Sequence, residues 1–168
     1  MEYLNKARAG ALAFPDGSAQ WRVWAPRAQR VELVLIDGDR RRSLAMSPEE
    51  HGYFRHTEPG IAEGQRYAFR LNNGPERPDP ASLWQPEGVH RPSAVLRPEK
   101  FRWQTLDWAG IHQDYLVFYE LHVGTFTPEG TFDAVIPRLD SLRELGITAI
   151  ELMPVAQFPG NRNWGYDG

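Results

Sequence analysis

Hydrophobic and polar residues alternate with a period of two from Gly10 to about Asn73. Such alternation is typical of strands that bury one face, and turn sequences at residues 15–18, 37–39 and 72–74 separate the runs. The pattern predicts six or seven short strands in an immunoglobulin-like sandwich. We expect each sheet to pack one face against the core and to expose the other face to solvent, as antiparallel sheets commonly do. The predicted strands lie in GALAF, AQWRVWA, RVELVLI, RRRSLAM, HGYFRHT and QRYAFRLN, and in the last of them Tyr67, Phe69 and Leu71 are packed while Arg66, Ala68 and Arg70 face water.

A different pattern begins near Tyr115. The apolar runs LVFYELHV and TAIELMPV predict two strands, and between them apolar residues recur with a period of about 3.6, which indicates a helix that Gly146 closes. Two strands joined by a helix lie parallel, with a right-handed crossover. A parallel pair needs cover on both faces, so the pattern predicts the opening of a larger α/β structure. The periodic residues are Phe132, Val135, Ile136, Leu139, Leu142 and Leu145.

Residues 75–113 show no clear period and contain six prolines. Apolar side chains such as Trp84, Val95 and Trp103 recur along this segment, whereas a disordered linker would lack them. We therefore expect an ordered but irregular connector.

Composition excludes several classes of function. The net charge of -3 provides no basic surface for nucleic acid, and the absence of cysteine excludes disulfides and zinc–thiolate sites. The first ten residues, MEYLNKARAG, lack the apolar core of a signal peptide, and no apolar run is long enough to span a bilayer. The five histidines show no metal-ligand spacing. We therefore expect a cytoplasmic protein without a metal, a cofactor, a membrane or a nucleic-acid partner.

Two glutamates are the first candidates for chemistry. Glu120 and Glu151 lie within the predicted strands, whereas barrel active sites lie at the carboxyl ends of strands and in the loops that follow. The pattern therefore favours a structural role for both carboxylates. His122 lies nearer the strand end, and its position fits a substrate-side role and a structural role equally.

The two loops that follow the strands are GTFTPEGTF and AQFPGNRNWGYDG. Both would lie on the functional face of a barrel. The second loop combines amide, guanidinium, aromatic and carboxylate groups, a mixture found in sugar sites. Aromatic faces there stack on pyranose C–H surfaces, and planar polar groups bind the hydroxyls.

Two long segments closely resemble the maltooligosyltrehalose trehalohydrolases, a family within glycoside hydrolase family 13, the α-amylase family. They are PERPDPASLWQPEGVHRPSAV and the stretch from YELHVGTF to NWGYDG. In addition, WRVWAPRAQRVELVL resembles the sandwich of carbohydrate-binding module family 48, which precedes the barrel in such enzymes. The resemblance implies a multi-domain β then α/β chain. Residues 1–100 would form the sandwich and its connector, and residues 101–168 the first β-α-β unit of a truncated (β/α)8 TIM barrel.

The resemblance also implies a reaction. Such enzymes hydrolyse an α-1,4 glucosidic bond with retention, using an Asp nucleophile, a Glu acid–base and a second Asp, and this family releases trehalose from maltooligosyltrehalose. The family takes those carboxylates from barrel strands four, five and seven, whereas this chain reaches strand two. No catalytic residue is therefore nominated, and we expect the chain alone to be inactive. The resemblance implies that Tyr166, Trp164 and His122 contact the maltooligosyltrehalose or α-1,4-glucan substrate.

Three alternatives stay open at this point. Glycogen branching enzymes share the order of sandwich and barrel. The sandwich alone could bind glucan or could be purely structural, which depends on which of Trp21, Trp24 and Trp84 are exposed. Because the two barrel strands have unpaired edges, we also expect either fraying beyond about Asp114 or self-association.

Overall fold

The computed structural model describes residues 8–105 and 107–162. The chain divides into two compact units, Met1–Arg102 and Trp103–Gly168. The first unit contains the residues with the period of two, and the second contains the two apolar runs and the helical spacing between them. Within the described residues, no helix is long and apolar enough to cross a membrane.

Short antiparallel strands build the first unit. They are β1 (Gly10–Ala13), β2 (Ala19–Trp24), β3 (Val31–Asp37), β4 (Arg40–Ala45), β5 (Ser47–Pro48), β6 (Tyr53–Glu58), β7 (Arg66–Leu71), β8 (Glu76–Arg77) and β9 (Ser93–Ala94). One sheet has the order β1-β2-β6-β5, and the other has the order β4-β3-β7-β8, with β9 also paired to β7. Each of the six predicted runs overlaps one of these strands, and the two sheets form a β-sandwich-like arrangement.

The core of the first unit draws on both sheets. Trp21 from β2 and Tyr67 from β7 are completely buried, and their rings meet edge to face at 5.7 Å between centroids. Phe69 continues the cluster, 5.9 Å from Tyr67. Edge-to-face pairs of this kind contribute about 0.5–1.5 kcal/mol beyond the burial of their area. The aromatic cluster therefore fixes the position of one sheet against the other.

The alternation predicts that the second face of β3 and β7 is exposed to water. The structure shows instead that this face contains buried residues. Val34, Ile36 and Ala68 form a separate buried cluster on that face, and Ala68 is only 2% exposed. The reason lies in β3, which is an inner strand of its sheet and has apolar residues on both faces. A nearly continuous apolar run is typical of a strand that is buried on both sides.

The connector contributes a buried polar cluster to the first unit. The Tyr67 hydroxyl donates to Asp79 Oδ2 at 2.7 Å, and the backbone N–H groups of Asp79 and Ala81 donate to Ser93 Oγ and Asp79 Oδ1. Burial raises the pKa of the Asp79 carboxyl, and the hydrogen bonds from Tyr67 and Ala81 partly oppose that rise. Burial and the adjacent Asp79 carboxylate raise the pKa of Tyr67. The cluster therefore fixes residues 79–93 on the sandwich.

Arg97 provides a second attachment of the connector. Its guanidinium is nearly buried and donates to the carbonyl oxygens of Phe14 at 2.9 Å and Ile61 at 2.7 Å. The Phe14 carbonyl oxygen also accepts from Gly17 N–H at 3.1 Å, so Arg97 adds a second donor to that turn. The connector is thus ordered without regular structure, in agreement with the expectation from sequence.

The strand β4 forms one edge of its sheet, since it pairs only with β3. Its first three residues are the exposed arginines Arg40, Arg41 and Arg42. Two of them reach carboxylates: Arg42 lies 2.7 Å from Glu58, and Arg41 lies 3.6 Å from Glu76. The edge is therefore covered by long cationic side chains.

The second unit contains one parallel pair of strands, as the sequence predicts. The strands are β10 (Phe118–Leu121) and β11 (Ala149–Leu152), and the helices between them are α1 (Val123–Phe126), α2 (Phe132–Val135) and α3 (Leu139–Glu144). A 3-10 turn at Ile136–Arg138 separates α2 from α3, because Pro137 has no backbone N–H to donate. Gly146 adopts a φ of 95°, and Ile147 N–H bonds the Leu142 carbonyl, which closes the helix as expected.

Apolar burial in the second unit is limited. Leu121, Val123 and Val135 form its core cluster, with Tyr119 and Phe126 packed against it. Other residues of the predicted apolar helix face are exposed, among them Phe132 at 53% and Leu145 at 73%. The second unit therefore presents many apolar side chains at its surface.

Candidate functional site

A concavity of about 790 Å³ lies at the carboxyl ends of β10 and β11. Both loops that the sequence predicts on this end contribute to its lining. In a parallel pair the carboxyl ends of both strands meet at one edge, so the loops that follow them converge. The lining residues are His122, Val123, Gly124, Thr125, Pro128, Glu129, Gly130, Phe132, Met153, Pro154, Val155, Phe158, Asn161 and Arg162.

The Thr148 side chain helps set the register of the strands that carry this concavity. Its hydroxyl donates to the Tyr115 carbonyl at 2.7 Å and accepts from Val117 N–H at 2.8 Å. At the other end, Met153 N–H donates to the Leu121 carbonyl at 3.0 Å. These bonds fix both strand ends, so the first residues of the two loops are held at defined positions.

His122 follows β10 directly and begins the first loop. Its carbonyl accepts from the N–H groups of Thr125 and Phe126 at 3.0 and 2.9 Å, which starts α1. The imidazole lies over Gly124, where a Cβ would be 3.0 Å from the ring. Gly124 therefore leaves space for the ring, and the half-buried His122 faces the concavity.

Two further contacts shape the first loop. Gly130 has a φ of 63°, and a Cβ there would lie 3.0 Å from the Gly124 carbonyl oxygen, so the loop folds tightly on itself. The Thr131 hydroxyl accepts from Ala134 N–H at 3.3 Å and caps α2. The loop conformation is thus set by local sequence.

The lining combines an imidazole, a carboxylate from Glu129, an amide from Asn161 and a guanidinium from Arg162 with apolar side chains such as Phe158. A largely apolar lining with a few polar groups is typical of small-molecule sites. Within the described part of the chain, no group of three or more His, Cys, Asp or Glu residues is placed to hold a metal ion.

The candidate residues identified in the sequence differ in their position relative to the concavity. His122 lines the concavity, whereas Glu120 and Glu151 lie opposite each other in the ladder, are exposed and are not among the lining residues. Trp164 and Tyr166 lie outside the described residues. Glu129 was not singled out by sequence reasoning, although its position in the first loop after a predicted strand is a signal that could have found it.

The tryptophans of the first unit differ in exposure, which decides how each could act. Trp21 is completely buried in the core. Trp24 is 61% exposed and Trp84 is 37% exposed. Only the latter two could offer a ring face to a ligand.

Comparison with known proteins gives consistent results for both units. The family Carbohydrate-binding module 48 (Isoamylase N-terminal domain) matches residues 9–83. The malto-oligosyltrehalose trehalohydrolase of Saccharolobus solfataricus is 46% identical over 91% of this chain and 27% of its own length. That of Deinococcus radiodurans is 41% identical over 97% of this chain and 26% of its own length. The chain thus spans about a quarter of the length of these relatives.

A solved structure and a more distant relative extend the comparison. The crystal structure of a candidate alpha amylase from Salmonella typhimurium is 42% identical, with a TM-score of 0.88 over 95% of this chain and 27% of that one. The 1,4-alpha-glucan branching enzyme GlgB of Pseudoalteromonas atlantica is 25% identical over 92% of this chain and 24% of its own length. Over the aligned residues the chain is therefore similar to the N-terminal quarter of the malto-oligosyltrehalose trehalohydrolases, and residues 9–83 match carbohydrate-binding module 48.

Proposed function

We propose that the chain is the N-terminal portion of a retaining α-1,4-glucan hydrolase that releases trehalose from maltooligosyltrehalose. One observation carries the proposal: a parallel β-α-β unit with a concavity at its carboxyl end follows a carbohydrate-binding module, in a chain 46% identical to a trehalohydrolase. In this proposal residues 1–100 are the sandwich with its connector, and residues 101–168 begin a (β/α)8 barrel. Barrel enzymes place their active sites at the end where this concavity lies.

The proposal assigns substrate contacts to three residues. His122 would contact the sugar from the end of the first barrel strand, and Trp164 and Tyr166 from the loop after the second. Two carboxyl groups close to each other on either side of the bond would perform retaining hydrolysis. They would come from later barrel strands, so the 168 residues alone are expected to show no glycosidase activity.

Branching-enzyme activity is a second candidate function, and the lower sequence identity to a branching enzyme supports it less well. The branching enzyme is 25% identical, against 41–46% for the trehalohydrolases of Deinococcus radiodurans and Saccharolobus solfataricus. Both activities act on α-1,4-glucans, so they differ in product rather than in substrate class. The product is therefore the quantity to measure.

The test uses the complete reading frame of the source DNA, expressed and incubated with maltooligosyltrehalose and, separately, with amylose. Chromatography is expected to show trehalose from the first substrate and no new branches in the second. His122→Gln is expected to lower kcat/KM about tenfold or more, because it alters a group facing the cleaved sugar. The matched control is His112→Gln, since His112 is exposed in the same unit outside the concavity. Branch formation without trehalose would assign the protein to the branching enzymes.

A further inference from the structure

The imidazole of His56 lies at the edge of the sandwich where the chain passes from one sheet to the other. His56 belongs to β6, and its side chain is on the same side of that strand as the buried Phe54. The chain leaves β4 at Ala45 and enters β5, which belongs to the sheet of β6. The half-buried ring is thus placed to contact both sheets.

Both nitrogens of this ring face oxygen atoms. Nδ1 lies 3.1 Å from the Ala45 carbonyl oxygen, and Nε2 lies 3.1 Å from Glu58 Oε2. A backbone carbonyl can only accept a hydrogen bond, and so can an ionised carboxylate. A neutral imidazole has one N–H, whereas the imidazolium has two. Only the protonated ring can therefore donate to both oxygens at once.

The Glu58 carboxylate is stabilised in its ionised form. Its Oε1 accepts from Arg42 Nη1 of β4 at 2.7 Å, while Oε2 faces the His56 ring. The hydrogen bond from Arg42 and, after it, the one from His56 lower the pKa of Glu58 below its ordinary value of 4.5. At neutral pH Glu58 has no proton to donate, so the ring must supply the proton of their hydrogen bond. We call His56, Glu58, Arg42 and the Ala45 carbonyl the His56 bridge.

Charged side chains on the neighbouring strands pair on the outer faces of the sheets. Arg55 of β6 and Arg22 of β2 lie 3.0 and 2.7 Å from Glu49, and Glu32 of β3 lies 2.7 Å from Arg30. Alternation along each strand places these groups on the side opposite the core. The charges in contact with the ring are therefore those of the His56 bridge.

We propose that the His56 bridge is a pH-dependent contact that joins β4 to β6 when the ring is protonated. Loss of one ring proton leaves a nitrogen lone pair 3.1 Å from an oxygen that cannot donate, so one of the two hydrogen bonds is lost. Histidine changes its charge between about pH 5 and 8. The edge is therefore joined at about pH 5.5 and loosened at about pH 8. This inference concerns the first unit and does not rest on the proposed function.

The sign of the effect on stability follows from the proton balance. The unfolded chain lacks both hydrogen bonds, so the folded state retains the ring proton more strongly. The stability that the bridge contributes is therefore present at about pH 5.5 and is lost as pH rises through the titration of the ring. The lowered pKa of Glu58 sets the acid limit, because its contribution is present above 4.5 and is lost as pH falls through the lowered value.

Urea unfolding of the 168-residue chain, followed by near-UV circular dichroism of the aromatic cluster around Trp21, tests the bridge at about pH 5.5 and 8. Asp79 also makes stability depend on pH, so the pH response of the protein is compared with that of His56→Gln, whose side chain does not titrate. Between these pH values the equilibrium constant of unfolding is expected to rise about threefold further in the protein than in His56→Gln. The matched control is His90→Gln, which should keep the full response, since His90 is exposed in the same unit.

Two further measurements locate the effect. In 15N spectra at about pH 7, the His56 ring is expected to carry both protons in a larger fraction of molecules than the exposed His90 ring. Hydrogen-exchange protection of residues 43–48, corrected for the intrinsic rate, should fall from about pH 6 to 8 in the protein and stay constant in His56→Gln. Glu58→Gln, which keeps the side-chain shape without the charge, should reduce the response as well.

Two results would overturn the proposal. One is an equal pH response of unfolding in the protein and in His56→Gln. The other is an equal protonated fraction of the His56 and His90 rings at about pH 7. The second measurement uses the unaltered protein, so it decides the matter even where a variant fails to fold.

Discussion

The buried hydrogen bond between Tyr67 and Asp79 leads to a prediction about stability. Tyr67→Phe removes one hydroxyl and keeps the ring that packs on Trp21 and Phe69. Asp79 Oδ2 then loses its 2.7 Å donor while the carboxyl remains only 3% exposed. A hydrogen bond to a charged group contributes about 1.5–3 kcal/mol, and a buried group left without its partner costs a similar amount. We expect the free energy of unfolding to fall by about 2–3 kcal/mol at pH 7.

The sign of the pH dependence follows from the raised pKa of Asp79. The folded state retains a proton on Asp79 between the ordinary pKa of 3.8 and its raised value, whereas the unfolded state releases it. The free energy of unfolding therefore falls as pH rises through this interval, and the cost of the buried charge is complete above it. The Tyr67 hydroxyl lowers the Asp79 pKa, so its removal extends the interval upward. The loss caused by Tyr67→Phe should thus be larger at pH 7 than at about pH 4.

Urea unfolding followed by near-UV circular dichroism measures both quantities, since the signal comes from the aromatic cluster around Trp21. Tyr53→Phe is the matched control: Tyr53 is half-buried under the Arg22 guanidinium, 3.6 Å from the ring centroid, and the phenyl ring retains that contact. The control should lose less than about 0.5 kcal/mol. A loss below about 0.5 kcal/mol for Tyr67→Phe, or an equal loss at both pH values, would refute the role assigned to this hydrogen bond.

Two further outcomes are expected. Gly52→Ala should destabilise the first unit by more than about 2 kcal/mol, because its Cβ would meet Pro26 at 2.6 Å, while Gly38→Ala, with open space at a φ of 56°, should lose about 1 kcal/mol in the same urea assay. Hydrogen exchange by mass spectrometry on a dilute monomer should show strong protection within residues 10–73 and weak protection within residues 115–168, since the second unit has a small core and many exposed apolar side chains. Uniform protection would show that the second unit is a self-contained fold.

Local sequence rules predicted the regular elements well. Alternation located the strands of the sandwich, and the switch to helical spacing located the crossover between β10 and β11. The interruption of the helix at Pro137 could have been anticipated from proline chemistry, since Pro137 lacks the N–H that an unbroken helix needs. These features depend on residues close together in the chain, which is why a single sequence shows them.

Features that join distant residues were not predictable in the same way. Asp79, Ser93 and Arg97 lie in a segment without period, and their burial depends on partners as far away as Phe14. The buried face of Val34 and Ala68 depends on which strand is internal, which alternation does not determine. The exposure of Trp24 did have a signal, since Trp24 shares the side of β2 with Arg22 rather than with Trp21.

The candidate site was predictable only to the level of loops. The rule that barrel chemistry follows the strands identified the two segments that line the larger concavity. Which side chains face it depends on loop conformation, and that is set by details such as the positive φ of Gly130 and the cap at Thr131. Glu129 was therefore missed, although His122 was found.

The arginines of β4 have a consequence for how the first unit meets other chains. An unpaired strand edge offers its N–H and C=O groups to any passing strand, and closely spaced cationic side chains oppose the addition of one. Arg40, Arg41 and Arg42 are exposed in succession on this edge, and Arg41 and Arg42 are also paired with Glu76 and Glu58. A second copy that added here would bring its own arginines against these side chains. Growth of the sheet into fibres by addition of strands at this rim is thereby disfavoured.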